Sequence, residues 1–233
     1  MRFGDTEVIK DLSFTVKRGE TFGLLGSNGS GKTTTIRALL GIYIPTAGEL
    51  LIDGAPYSVS EGVKLGYLPE ERGLYKKESV IDTMVYFGQL KGLKRDEARR
   101  QSMDFLQRVK LEDKAKIRLD KLSGGQQQKI QLGITVLGNP ELLILDEPTK
   151  GFDPVNRRLL MSIIEDHQRK GATVVMITHQ MEEVEQLCDR ILLLKDGVAR
   201  AYGTVSDVKK KFGGKSLDDI FVRVYGDENE EEV

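Results

Sequence analysis

Three short segments hold residue types that can do phosphate chemistry. Gly26-Ser27-Asn28-Gly29-Ser30-Gly31-Lys32-Thr33 has the full phosphate-loop spacing, followed by a second hydroxyl at Thr34. Glycines at these positions let the backbone turn tightly, so that amide N–H groups converge on phosphate oxygens. Lys32 is placed to reach the β and γ phosphates, Thr33 to ligate Mg²⁺, and Thr34 to lie near the α phosphate. Leu122-Ser123-Gly124-Gly125-Gln126 precedes a helix-compatible run to Leu137, so Ser123 reads as an N-cap and the segment as a second anion site. Asp146 and Glu147 close the apolar run Leu142–Leu145; the first suits Mg²⁺ and the second suits a general base acting on water. Together the three segments point to binding and hydrolysis of a nucleoside triphosphate.

The elements that must position these residues are readable from periodicity. Thr21–Leu25 is a short apolar run ending at Gly26, and Thr33–Leu40 is helix-compatible up to Gly41, giving strand, glycine loop and helix in the order the chemistry needs. Further strand-like runs are Glu49–Ile52, Leu65–Leu68, Leu142–Leu145, Thr173–Ile177 and Ile191–Leu194. Helical stretches at 156–169 and 180–187 separate the last three, which predicts alternating β and α with a parallel sheet. Carboxylates at the end of the Leu142–Leu145 strand then lie at the carboxyl edge of that sheet, where such folds bind ligands. The middle of the chain, about 79–109, has apolar residues only at helical spacing, including Val80, Met84, Phe87, Phe105, Leu106 and Val109, and reads as an inserted helical lobe. The acidic run 227–233 reads as a solvated end.

Composition sets outer bounds. The 233 residues suffice for one α/β domain with an insertion, and 39% hydrophobic with 30% charged residues describe an ordinary globular chain. With 35 basic and 36 acidic residues the net charge is −1, so no nucleic-acid partner is expected. The single cysteine, Cys188, excludes an internal disulfide and reads as a small buried hydrophobe. No apolar run reaches membrane-spanning length, and the first residues carry charge where a signal peptide needs an apolar stretch, so a cytosolic location is expected.

The order phosphate loop, Leu122–Gln126 signature, Asp146-Glu147-Pro148 strand end and Thr178-His179 resembles the ATPase domain of ABC transporters over nearly the whole chain. The resemblance implies a P-loop NTPase (RecA-like) α/β core with a mostly parallel sheet, an antiparallel β edge and an inserted helical subdomain. It implies one domain over 1–233, with the core at 1–74 and 132–233, the signature subdomain at 75–131 and the acidic tail at 226–233. It also implies a head-to-tail homodimer in which ATP on the Lys32 loop of one copy is completed by Ser123, Gly125 and Gln126 of the other. Asp153 matches the loop that couples the two sites, His179 the switch that contacts the γ phosphate, and Phe3 the ring that stacks on adenine. His167, the other histidine, has no such context.

The resemblance further implies a separate membrane permease as partner and a place on the inner face of the membrane; the other reading weighed is a soluble regulatory or assembly ATPase of the same fold. A phosphate-loop kinase would need neither the signature nor the Asp153 loop. Three positions depart from the common pattern. Glu70 stands where glutamine usually contacts Mg²⁺ and the permease; it would ligate Mg²⁺ through water while altering the local charge. With Leu68-Pro69-Glu70-Glu71-Arg72-Gly73-Leu74-Tyr75 and Gln127–Gln131, this variant is similar to prokaryotic sodium-extrusion and drug-export two-component exporters. Lys150 and Phe152 replace the more usual serine and leucine near Asp153. The chain is also expected to begin one strand late, at the adenine-stacking position, as an internal methionine taken for the start would produce.

Overall fold

The computed structural model describes residues 1–56, 64–71, 73, 75, 77–214 and 216–226. The acidic run 227–233 lies outside them. The chain forms two compact units, Met1–Val63 with Thr173–Val233, and Lys64–Ala172.

The first unit opens with a minimal antiparallel hairpin of β1 (Arg2–Phe3) and β2 (Thr6–Glu7), followed by β3 (Thr21–Leu25) and α1 (Lys32–Leu39). Its sheet is built on β3, every residue of which is buried. Continuous burial is what a strand covered on both faces requires, and it explains why Thr21–Leu25 lacks polar alternation. The unit's other elements wait until the second half of the chain: β6 (Thr173–Ile177), α6 (Met181–Leu187), β7 (Arg190–Lys195), β8 (Val198–Thr204), α7 (Val205–Phe212) and α8 (Leu217–Tyr225). β6 and β7 flank β3 in parallel, and β8 pairs antiparallel with β7. Leu25, Met176, Val184, Ile191, Val208 and Ile220 pack into one apolar cluster beneath these strands. Cys188 belongs to the same cluster, as its reading as a small hydrophobe expects.

The second unit holds β4 (Leu65–Leu68), α2 (Val80–Leu90), α3 (Arg95–Arg108), α4 (Gly124–Val136), β5 (Leu142–Asp146) and α5 (Pro154–Arg169), with β4 and β5 parallel. Most strand pairs are thus parallel, with an antiparallel edge at β8, and the inserted lobe is helical. α4 is its centre: Ile130 through Val136 are all buried, including Gln131 and Thr135, so the helix is surrounded rather than laid on a surface. Close approach is made possible by glycines. A Cβ at Gly66 of β4 would lie 2.5 Å from the Thr135 carbonyl oxygen, and one at Gly133 would lie 2.5 Å from the Phe105 ring.

One expected strand does not form. Among the described residues, the run at 49–52 contributes a single isolated bridge from Ile52 to Ala55 across the turn at Asp53 and Gly54. Leu51 is 42% exposed, so the apolar run has no sheet to bury it.

Candidate nucleotide site

In the first unit, β3 delivers the chain into the glycine loop at the carboxyl end of the sheet. Gly26 is buried, and a Cβ there would sit 2.4 Å from Ser30 Oγ and 2.5 Å from the Leu194 carbonyl oxygen, so no larger residue fits. Gly29 and Gly31 have φ of 78° and 107°, conformations that L side chains rarely adopt. Gly31 is the N-cap of α1, with no side-chain cap and no acid in the first turn, which leaves the helix start suited to an anion. Lys32 folds its ammonium over the loop, donating to the carbonyls of Gly26 and Ser27 at 2.8 Å each. Among the described residues Ser30 Oγ is buried without a hydrogen-bond partner. Ser27, Lys32, Thr33 and Thr34 are partly exposed, and Asn28 and Gly29 are exposed.

Register fixes the neighbour of this loop. Leu24 pairs with Ile177, so Gly26 and Thr178-His179 leave adjacent parallel strands at the same end. Thr178 is fully buried and accepts from the Gln180 amide at 3.1 Å, whereas His179 is exposed. Phe3 is 43% exposed, with its ring 5.2 Å from Tyr43 in a T-shaped contact.

The second unit repeats this logic with carboxylates. Leu68 pairs with Leu145, so Glu70 and Asp146-Glu147 follow adjacent parallel strand ends. Asp146 and Glu147 are 4% and 9% exposed. Glu147 has a φ of 50°, a left-handed conformation costly for a residue with a side chain and concentrated at functional sites. The turn that holds it is closed by the Lys150 amide donating to its carbonyl at 3.2 Å. Lys150 also bonds Glu70 Oε1 at 2.7 Å. Phe152 is buried, and a Cβ on Gly125 would touch its ring at 3.4 Å, which accounts for a large apolar residue at that position. Asp153 caps α5, accepting from the amides of Val155 and Asn156, and bonds from the Asn156 amide and side chain hold its carboxyl below the usual range.

Ser123 begins α4 in a reciprocal capping box: its hydroxyl accepts from the Gln126 amide at 3.3 Å, and the Gln126 side chain accepts from the Ser123 amide at 3.0 Å. Three further residues support the site: Gln128 and Gln131, which the sequence offers only as part of the 127–131 run, and Lys91, which it does not mark at all. The Gln128 amide donates to the carbonyls of Glu147 and Pro148 at 3.4 and 3.3 Å. That of Gln131 donates to Glu71 at 3.0 Å and Pro69 at 3.5 Å. Lys91, the C-cap of α2, donates to the carbonyls of Ile134 and Thr135 at the other end of α4 at 2.7 and 2.6 Å. The signal available in the sequence was two glutamines three residues apart, Gln128 and Gln131, on a helix that begins with the signature.

The family model described as ABC transporter matches residues 9–150. The chain is 44% identical over 209 residues to an uncharacterised ABC transporter ATP-binding protein of Methanocaldococcus jannaschii, covering 90% of this chain and 76% of that protein. It is 35% identical over 218 residues to the linearmycin resistance ATP-binding protein of Bacillus subtilis, covering 92% and 70%. It is 36% identical over 222 residues to the Nod factor export ATP-binding protein I of a Rhizobium species, covering 94% and 73%. A solved structure of an ATP-binding subunit of an ABC transporter is similar at a TM-score of 0.87 and 31% identity, covering 95% of this chain and 94% of that one. The span matched by the family model contains the glycine loop, the Ser123 helix and the Asp146-Glu147 strand end, and the chain belongs to the ABC transporter family as an ATP-binding subunit, an ATPase of P-loop fold.

Proposed function

We propose that this subunit powers export through a separate membrane permease by closing as a head-to-tail homodimer on ATP and reopening on hydrolysis. The observation that carries the reading is a bonded path within α4. The helix that starts with Ser123, the segment meant to meet the partner's ATP, also holds the backbone of Glu147 through Gln128 and that of residues 69 and 71 through Gln131. Movement of the helix start is thereby passed to the turn that carries the base. Export is supported by the linearmycin resistance and Nod factor export relatives. Among the described residues no helix is long and apolar enough to cross a membrane. Within this reading the permease carries the transport path and the subunit sits on its cytosolic side.

Within this reading, residues 26–31 and Lys32 bind the phosphates, Thr34 lies near the α phosphate and Phe3 stacks on adenine. Ser123, Gly125 and Gln126 complete the partner's site, and Asp153 couples the two sites. His179 orients the γ phosphate, and Glu147 takes the proton of the attacking water. The donor set fits Mg²⁺: the Thr33 hydroxyl in the first turn of α1 and the buried Asp146 carboxylate are hard oxygen ligands, with Glu70 as a further carboxylate. When bound, Mg²⁺ would neutralise charge developing on the phosphates. We also assign residues 75–131 to a helical signature subdomain and 1–74 with 132–233 to the core.

Glu147→Gln tests the reading. It keeps the shape of the turn while removing the base, so ATP affinity should hold and turnover should fall by about 10²–10⁴-fold, with ATP-bound dimers accumulating by light scattering. Lys32→Ala should instead abolish binding. Unimpaired hydrolysis by Glu147→Gln would remove the base from this account.

A further inference from the structure

The hairpin that carries Phe3 has no core of its own. β1 and β2 are two residues each, all exposed, and a lone two-stranded hairpin is marginal in water. Its place in the first unit is therefore set by what it leans on. At its base the Val8 and Ile9 amides donate to the Met1 carbonyl at 3.0 and 3.2 Å, and Ile9 lies against the start of α1, where a Cβ at Gly31 would collide with its Cδ1. Its other contacts fall just past the end of the same helix. The Phe3 ring meets the Tyr43 ring in the T-shaped contact at 5.2 Å, and the Arg2 amide donates to Thr46 Oγ1 at 3.0 Å. Tyr43, half-buried, is in turn fixed by the last turn of α1. Its amide donates to the Arg37 carbonyl at 3.2 Å, its hydroxyl accepts from the Arg37 guanidinium at 3.1 Å, and that guanidinium lies 5.9 Å from the centre of its ring. α1 is thus a rod of eight residues, about 12 Å long, whose first turn holds Lys32 and whose last turn holds the support of Phe3.

We propose that Tyr43 is a positioning residue for the nucleobase: braced by Arg37, it sets the Phe3 ring at a fixed place relative to the phosphate loop, so that the base and the phosphates are held from the two ends of one helix. This rests on the reading above that Phe3 stacks on adenine. Tyr43 acts through Phe3. Without its ring the exposed hairpin loses a support and Phe3 its orientation, and the incoming base has to order Phe3 as it binds.

The experiment is a double-mutant cycle on the full chain, with ATP titrated calorimetrically in the presence of Mg²⁺. Phe3→Ala should raise Kd about tenfold or more, the worth of a base stacked on an aromatic ring. Tyr43→Ala should raise it about fivefold, the worth of one aromatic pair, and Tyr43→Phe, which keeps the ring, should bind as tightly as the unmodified chain. In the Phe3→Ala background Tyr43→Ala should cost nothing more. The same fivefold loss in that background would overturn the proposal, because Tyr43 would then act on the nucleotide or on the fold without Phe3; so would no loss from Tyr43→Ala, or an equal loss from Tyr43→Phe. Full affinity in Phe3→Ala would remove the stacking role and the proposal with it, while leaving the phosphate loop's role in place. Failure of the unmodified chain to bind ATP would overturn the whole ATP reading.

Discussion

Gly66→Ala should weaken this protein more than a single methyl in a strand ordinarily does. The added Cβ falls 2.5 Å from the Thr135 carbonyl oxygen and 2.9 Å from Leu143 Cδ2. A methyl carbon and a carbonyl oxygen rest at about 3.3 Å, so relief requires α4 and β4 to part by nearly an ångström. The oxygen cannot simply turn away, because it belongs to the backbone and accepts from Lys91 Nζ at 2.6 Å. Overpacking of this kind costs about 1–3 kcal/mol, and a rigid backbone neighbour places it near the upper half, roughly 2 kcal/mol or slightly more. For a chain of this size that is a fall in melting temperature of about 4–8 °C.

Two other glycines calibrate the argument. At Gly133 the added methyl meets the Phe105 ring at 2.5 Å and Met84 Cε at 2.9 Å, and both are side chains able to shift, while alanine gains about 1 kcal/mol of helix propensity. At Gly125 the nearest atom is a Phe152 ring carbon at 3.4 Å, an ordinary contact. Calorimetric melting of the three alanine variants should therefore rank the loss Gly66, Gly133, Gly125. A melting temperature for Gly66→Ala equal to that of the unmodified chain, or a larger loss at Gly133, would refute the reasoning.

Two further outcomes follow from buried titratable groups. Burial, with the nearby Lys170 and Arg108 charges, lowers the pKa of His167 from 6.5 to about 4. Between those values the unfolded state binds the extra proton, so stability is complete above pH 6.5 and is lost as pH falls toward 4, by about 2 kcal/mol after discounting for solvent screening. Urea titrations across that range should show a shallower slope for His167→Gln, and an unchanged slope would remove the histidine as the cause. Burial also pushes the Cys188 thiol upward, so Ellman's reagent should find no reactive thiol in the native protein and one after denaturation. Rapid native labelling would contradict its place in the apolar cluster.

The strands that carry the site were legible because their burial leaves a plain record: Thr21–Leu25, Leu142–Leu145 and Thr173–Ile177 are unbroken or nearly unbroken apolar runs, and parallel strands covered on both faces need no more. The same criterion misled at 49–52, where Leu50-Leu51-Ile52 is apolar but the chain turns back at Asp53 and Gly54. Composition alone cannot tell a strand from an apolar stretch that has no ladder to join. The reverse error hid β8 and the helices after it, whose half-exposed edge pattern gives no continuous run. Spacing served well for residues that act through the backbone, as in the glycine loop and the Ser123 cap. It could not join Glu70 to Lys150, since nothing local links positions 80 residues apart; only the parallel register of β4 and β5 does so.

The helix α4 shows why a signature can be read without its support. Its first turn is recognisable because Ser123, Gly125 and Gln126 satisfy rules that apply to any helix start. The residues that make that turn consequential lie further along and look like ordinary glutamines. Gln131 is 6% exposed, and a buried amide is tolerated only where its hydrogen bonds are made. Its donors go to the carbonyls of Pro69 and Glu71, and those of Gln128 go to Glu147 and Pro148, so two loops that leave parallel strands are fastened to one rod. A hydrophobic residue at either position could fill the space but would free the carbonyls and the loops with them. Rigid-body motion of α4 then carries the carboxylate turn with it, which is the coupling that the proposed closure at Ser123 and the proposed role of Glu147 require.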